Sequence, residues 1–251
     1  MSNNFRGTYA YKTDIGRVRS HNEDQAMVVV NASGEVFMIV CDGMGGANKG
    51  DVASKMAIDS LCESFRNKKR MPFAYLDKLW LTRACKAANK SIYDLADKKP
   101  AYKGMGTTLV AALISGNRLL IGNIGDSRAY MIVKNEIKQL TVDQTYVHFL
   151  VETGKISKEQ ALTHPERHVL MNALGIYPSL SLTISQYPYH GESMLLCSDG
   201  LYNQLSEKEI LSITSTDERV DQKVTSLIVQ ANSNGGSDNE GVSYWESMGH
   251  D

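Results

Sequence analysis

The apolar residues of this chain come in short β-branched runs, and those runs do not alternate one by one with helices. Residues 25–31 (QAMVVVN) and 36–41 (VFMIVC), with Ala-Ser-Gly between them, read as a β-hairpin. Two helical stretches follow. In one, Ala57, Ile58, Leu61 and Phe65 fall on one face; in the other, Leu76, Trp80, Ala84, Ala87, Ser91 and Leu95 do so. Pro72 separates them, as in a helix pair joined by a short loop. Strand-like runs return at 107–114, 118–124, 127–133 and 136–140, broken by Ser-Gly-Asn, Gly-Asp and Lys-Asn; this spacing predicts a meander of antiparallel strands. Residues 144–172 are polar and helix-prone in pieces, with Gly154 and Pro165 as punctuation. Strands resume at 180–186 and 193–198, and a last amphipathic helix carries Val220, Val224, Leu227, Ile228 and Ala231. A doubly wound parallel sheet needs strict βαβα order. This order predicts an α+β fold, with helices layered on antiparallel sheets.

The 251 residues allow one large domain or two small ones, and no linker-like break divides them, so residues 1–251 read as a single domain. Apolar residues at 42% and charged residues at 22% are those of a soluble globular protein. Lys+Arg of 27 against Asp+Glu of 28 argues against a general binder of nucleic acid or anionic membrane. Apolar runs such as 36–41 are far shorter than the ~20 residues of a bilayer span. The opening MSNNFRGTYAYKTD has no apolar signal region, so a cytoplasmic location is expected. Cys41, Cys62, Cys85 and Cys197 form no CxxC pair and are expected to be buried free thiols.

The placement of Asp carries the chemistry. Three apolar runs each end in an Asp beside a small residue: Asp42-Gly43, Asp126-Ser127 and Asp199-Gly200. A fourth site, Asp238-Asn239, follows Asn-Gly-Gly-Ser, and a fifth, Glu23-Asp24, directly precedes the first run. Any one Asp-Gly is accounted for as a turn. Several together ask for more, because a sheet can gather strand ends at one rim, where carboxylates repel and raise one another's pKa unless a cation neutralises them. An all-oxygen set selects hard ions such as Mg²⁺ or Mn²⁺. No twelve-residue EF-hand loop occurs, and DGMGGANKG (42–50) has neither P-loop nor dinucleotide-fold spacing.

Six motifs then stand in order: RSHNED (19–24), VCDGMGG (40–46), GMGTT (104–108), NIGDSR (123–128), CSDGL (197–201) and GGSDN (235–239). The set resembles the metal-dependent Ser/Thr protein phosphatases, the protein phosphatase 2C family, in its compact bacterial form. The match runs over nearly the whole chain. The resemblance implies a four-layer α/β/β/α sandwich, two antiparallel sheets flanked by antiparallel helix pairs. It also implies two Mg²⁺ or Mn²⁺ ions, with a weaker third. By motif position Asp42 would bridge the two ions and the Gly43 carbonyl would complete one. Asp199 and Asp238 would hold the second, and Glu23 and Asp24 would act through metal-bound waters. Asp126 with Asp199 would form the third site. Arg19 would grip the substrate phosphate, and Thr108 would line the site. The implied reaction is hydrolysis of phosphoserine and phosphothreonine in proteins by a hydroxide shared between the two ions, with phosphoproteins as partners and a Ser/Thr protein kinase as natural counterpart. A cysteine-dependent phosphatase is excluded by the lack of a Cys-x5-Arg sequence.

Residues 144–172 resemble the flap of the bacterial members, bordering the substrate channel. Three positions depart from the family pattern. Met44 stands where many eukaryotic members have His, Gln144 where the family usually has His, and Ala47-Asn48 where a His-rich turn is common. His164 and His168 are four apart, but Pro165 argues against a shared helical face. After Asn239 the chain reads EGVSYWESMGHD, where only 242–245 has strand composition. Segment 240–251 is therefore expected to be atypical and to anchor Asp238 poorly. Two alternatives follow: a non-catalytic pseudophosphatase that binds phosphoproteins, and a hydrolase of small-molecule phosphate esters.

Overall fold

Side-chain alternation along the strands decides the layering. The computed structural model describes residues 6–45 and 49–248. It begins with β1 (Gly7–Asp14) and the hairpin of β2 (Asp24–Val30) and β3 (Val36–Met44). The helices α1 (Gly50–Arg66) and α2 (Ala74–Lys98) follow, then β4 (Gly106–Thr107), β5 (Leu109–Ser115), β6 (Arg118–Ile124), β7 (Arg128–Val133) and β8 (Glu136–Gln139). Two short helices, α3 (Tyr146–Glu152) and α4 (Lys158–Leu162), precede β9 (Thr183–Pro188) and β10 (Ser193–Cys197). Last come α5 (Asp199–Tyr202), α6 (Glu207–Thr214), α7 (Val220–Ser233) and β11 (Glu240–Ser247).

The strands form two antiparallel sheets, ordered β1-β11-β10-β7-β8 and β2-β3-β5-β6-β9, with β4 paired to β3. On β3, Met38 and Val40 face the space between the sheets, while Phe37, Ile39 and Cys41 face outward onto α1 and α2. On β10, Met194 and Leu196 face inward, while Leu195 and Cys197 face α6 and α7. These two strands thus bury both faces, and the result is the expected four-layer α/β/β/α sandwich. All four cysteines are free and buried, as expected. Among the described residues no helix is long and apolar enough to cross a membrane.

Three readings of the sequence need correction. The buried face of α2 is Asp77, Leu81, Cys85, Ala88, Asn89, Ile92 and Ala96, while Ala87 and Ser91 point to solvent. Of the predicted face Ala84 is also buried, and Trp80 and Leu95 pack half-buried against the same core. Hydropathy favoured the large apolar residues over Asp77 and Asn89, whose polarity is satisfied by distant partners: Asp77 pairs with Lys68 and Arg118, and Asn89 bonds the backbone at Tyr177 and Gly175.

The run 107–140 is not one meander. β5 and β6 pair in one sheet and β7 and β8 in the other, so the chain changes sheet at 125–127. Gly125 at φ +92° makes that step.

The closing strand is neither short nor displaced. β11 runs eight residues between β1 and β10, with its first six residues buried. Its weak strand composition has a packing cause. Gly241 and Ser243 lie close under β3: a Cβ on Gly241 would stand 3.1 Å from Val40, and Ser243 Oγ donates to the Ile39 carbonyl at 3.0 Å. Larger side chains do not fit there. Trp245 then fills the inter-sheet core, donating to Tyr189 Oη at 2.9 Å. Residues 249–251 and the departure at Ala47-Asn48 lie outside the described residues.

Segment 144–172 leaves and rejoins the body at one neck. Thr145 bridges Leu170, Tyr146 N–H donates to the Val169 carbonyl at 2.8 Å, and Met171 N–H donates to the Gln144 carbonyl at 2.9 Å. Between these ties lie α3 and α4, the latter closed by the Ser157/Gln160 capping box.

Candidate metal centre

Asp24 and Asp42 are direct cross-strand partners, the first residue of β2 against the seventh of β3. Like charges placed opposite one another on a sheet destabilise it. Asp24 is 1% exposed, accepts from Ser198 Oγ at 2.5 Å and shares a hydrogen bond with Asp42. Ser198 in turn accepts from Gly241 N–H at 2.7 Å, so Asp24 joins the two sheets. Burial above all, with Asp238 and Glu23 adding to it, pushes the Asp24 carboxyl up to about 7.

Asp42 is held by its backbone. Its N–H donates to Thr108 Oγ1 at 2.9 Å, and its carbonyl accepts from Thr108 N–H at 2.8 Å and Thr107 Oγ1 at 2.9 Å. Its carboxyl is pushed well above the ordinary range by burial, then by Asp24, Asp199, Asp126 and Asp238. That list of four acids places Asp42 at the middle of one shared field. Thr108, expected to line the site, is 1% exposed and hydrogen-bonds Ser127 at 2.7 Å. It stands behind Asp42 and positions it.

Gly43 permits the closest approach in the site. A Cβ there would lie 2.2 Å from the Gly50 carbonyl oxygen and 2.6 Å from that of Glu23. The bare backbone lets the end of β3 abut the start of α1. Gly50 N–H donates to Glu23 Oε1 at 3.0 Å, so Glu23 accepts from the first turn of α1, where its charge also suits the helix dipole. This capping role was not legible, because the acceptor lies 27 residues before the helix.

The remaining acids come from the other connections at the same rim. Asp126 lies at the sheet change and is pushed up to about 6 by burial and then by Asp143. Asp199 opens α5 and is pushed well above the ordinary range by burial, Asp126 and Asp238. Asp238 precedes β11 and accepts from Arg19 Nη2 at 2.7 Å. Asn239 ties the Arg19 loop in place: its Oδ1 accepts from Glu23 N–H, and its Nδ2 donates to the carbonyls of Ile15 and His21, each at 2.9 Å. Arg128 is a further member that sequence reasoning left without a role. It forks onto Asp143 at 2.6 and 3.0 Å and stacks 3.6 Å over the Tyr202 ring, whose hydroxyl donates to Asp126.

Among the described residues, no three His, Cys, Asp or Glu side chains converge into a finished metal cage. Asp238 is turned to Arg19, Glu23 to α1 and Asp24 to Ser198. The donor chemistry nevertheless fits divalent cations. Four carboxyls, Asp24, Asp42, Asp126 and Asp199, are pushed towards their protonated forms by burial and then by neighbouring acids, an arrangement that a hard cation relieves and an apolar or cysteine-rich site would not offer.

The protein phosphatase 2C family profile matches residues 15–236. The chain belongs to the protein phosphatase 2C family. Among relatives of this phosphatase, the serine/threonine phosphatase stp of Listeria welshimeri is 40% identical over 230 residues, covering 91% of each chain. Protein phosphatase PhpP of Streptococcus pneumoniae is 34% identical over 231 residues, covering 90% of this chain and 92% of its own. Among solved structures, serine/threonine phosphatase Stp1 from Staphylococcus aureus superposes with a TM-score of 0.91 at 32% identity, covering 99% of this chain and 98% of its own. The catalytic domain of the serine/threonine protein phosphatase PstP, in complex with two manganese ions, gives 0.83 at 33% identity, covering 96% and 98%.

The raised carboxyls make a pH prediction. Their folded pKa values lie above the unfolded carboxylate value of about 4, so the folded phosphatase holds more protons between about pH 4 and 7. By linkage, the metal-free protein loses stability as pH rises through that window. If these acids hold Mn²⁺, the ion must displace those protons, and its stabilisation should grow with pH. Melting temperatures with and without Mn²⁺, between about pH 5 and 8, test this. A manganese increment that stays flat with pH contradicts the assignment of these acids as ligands.

Proposed function

We propose that this phosphatase hydrolyses phosphoserine and phosphothreonine in proteins with the help of two Mg²⁺ or Mn²⁺ ions. The observation that carries the reading is the Asp42 carboxyl, set against Asp24 across the hairpin and within the field of three more acids from separate connections. Asp42 would face both ions, with the Gly43 carbonyl, Asp199 and Asp238 completing the set. Glu23 and Asp24 would act through intervening waters, and Asp126 with Asp199 would offer a weaker third position.

When bound, such ions supply a water that loses its proton far more easily than bulk water and offset charge on the phosphate oxygens. The chain's own residues do the rest. Arg19, now paired with Asp238, is released when Asp238 turns inward, and its guanidinium fork then matches two phosphate oxygens. Thr108 and Asn239 fix the backbone of Asp42 and the Arg19 loop, so the rearrangement falls on side chains.

The ground for a non-catalytic module was a badly anchored Asp238. The central, buried β11 that follows Asp238 removes that ground. In a cell the natural counterpart would be a Ser/Thr protein kinase. Phosphate release from a phosphothreonine peptide should require Mn²⁺ or Mg²⁺ and stop in excess chelator. Undiminished turnover with chelator present would sink the reading, and binding of the peptide without turnover at saturating Mn²⁺ would select the pseudophosphatase.

A further inference from the structure

Beside the flap lies a cleft of about 540 Å³, bounded by α3 on one side and residues 177–183 on the other. Its volume falls in the ~300–1,000 Å³ range of ligand sites. Its lining is mixed, and the apolar part is Val142, Phe149, Met171, Tyr177 and Leu180. Four of these five are among the large hydrophobic side chains left exposed on the protein, Met171 at 53% and Tyr177 at 60%. Gathering them at one concavity is a feature of binding surfaces.

The polar groups give the cleft a sign. No Lys or Arg is among the described residues that line it. Asp143 is neutralised by Arg128, whereas Glu152 stands 65% exposed at the rim. His148 Nε2 is buried and makes no hydrogen bond, although it lies 3.3 Å from Glu152 Oε1.

The cleft is tied to the acid cluster through Gln144. Its Gln144 exchanges two hydrogen bonds with Gly125, which immediately precedes Asp126: Gln144 N–H to the Gly125 carbonyl at 3.0 Å, and Gly125 N–H to Gln144 Oε1 at 3.1 Å. On the returning arm of the flap, His168 Nδ1 lies 3.9 Å from Asp199, and Met171 lines the cleft three residues on. Three residues of extended chain span at most about 10–11 Å.

We propose that this cleft is a docking subsite for the substrate polypeptide. It takes a large apolar side chain three or four residues from the phosphorylated one, with a basic neighbour beside Glu152. The proposal rests on the reading of the chain as a phosphoprotein phosphatase. The apolar part of the lining supplies the affinity, and the acidic rim selects the neighbour.

The test compares phosphopeptides with Leu or Ala at the third and fourth positions on either side of the phosphothreonine, each with Arg or Ala next to that position. para-Nitrophenyl phosphate, which has no flanking residue to place in the cleft, serves as reference. Wild-type enzyme with Mn²⁺ should show a KM about tenfold lower for a Leu-Arg peptide than for its Ala-Ala counterpart. Met171→Ala combined with Tyr177→Ala should erase that difference through KM, leave kcat in place, and change turnover of the aryl ester by less than about twofold. Both side chains are mostly exposed, so the variant should fold. Glu152→Lys should remove the preference for Arg alone. Equal KM values for all peptides on the wild type overturn the proposal, as does an equal loss on peptide and aryl ester in the double variant. Wild-type enzyme that turns over neither substrate in Mn²⁺ fails at the parent reading instead, and takes this proposal with it.

Discussion

Asp42→Asn is expected to abolish turnover and, in the same molecule, to stabilise the metal-free fold. The amide keeps the shape of the carboxylate, and the backbone ties to Thr107 and Thr108 do not involve the side chain. What is lost is the charge facing Asp24, Asp199, Asp126 and Asp238. Loss of preorganised charge at a reacting centre costs about 10²–10³ in rate, or ~3–4 kcal/mol, and loss of a shared metal ligand should exceed that. Without metal, the same charge is a source of repulsion, so its removal should raise the denaturant midpoint. The two readouts together discriminate. A variant that is both inactive and less stable would mean that Asp42 holds the fold together, against the role assigned to it.

The second large effect lies at the far end of the hairpin. Lys68, Glu35 and Asp77 have side chains 0–1% exposed, with Lys68 Nζ 2.7 Å from Glu35 and 2.8 Å from Asp77. Glu35 also accepts from Ser115 Oγ at 2.6 Å and Asn31 Nδ2 at 2.9 Å. Burial raises the Glu35 pKa, but the bonds from Lys68, Ser115 and Asn31 outweigh it and hold the carboxyl below its usual range. Lys68→Met keeps an unbranched aliphatic chain and removes the charge, together with the ammonium 5.7 Å from the Trp80 ring centroid. It strands Glu35 and leaves Asp77 with Arg118 alone, a loss of about 3–5 kcal/mol. Glu35 in the variant should take up a proton as pH falls, so the loss measured by denaturant titration should be smaller near pH 5 than near pH 7.5. A change under about 1 kcal/mol at neutral pH would show that water reaches the cluster. This cluster joins the α1–α2 loop to β6 through Arg118, and it explains why an Asp can occupy the buried face of α2.

Several site residues were legible before any fold was known because each closes a run whose apolar alternation is local. Asp42, Asp126 and Asp199 follow apolar stretches directly, and their order along the chain matches a family pattern. Other members of the site carry no local mark. Ser198 matters through Asp24, 174 residues away, and Asn239 through His21 and Ile15. Thr108 reads as a polar residue fit to line a cavity, yet it is enclosed behind Asp42.

The amino-acid pattern by itself determined the α+β class, the antiparallel pairing, the helix faces of α1 and α7, and the chemistry of an oxygen-only rim, because these depend on periodicities of two and 3.6 and on residue type. Tertiary structure alone decided that β6 and β7 lie in different sheets, that α2 turns Asp77 and Asn89 inward, and that Gly241 and Ser243 belong to a central strand. Each of those outcomes is set by a partner far along the chain: a cation for Asp77, a backbone for Asn89, the underside of β3 for β11. Propensity measures what a residue prefers alone, and these residues are placed by what they touch.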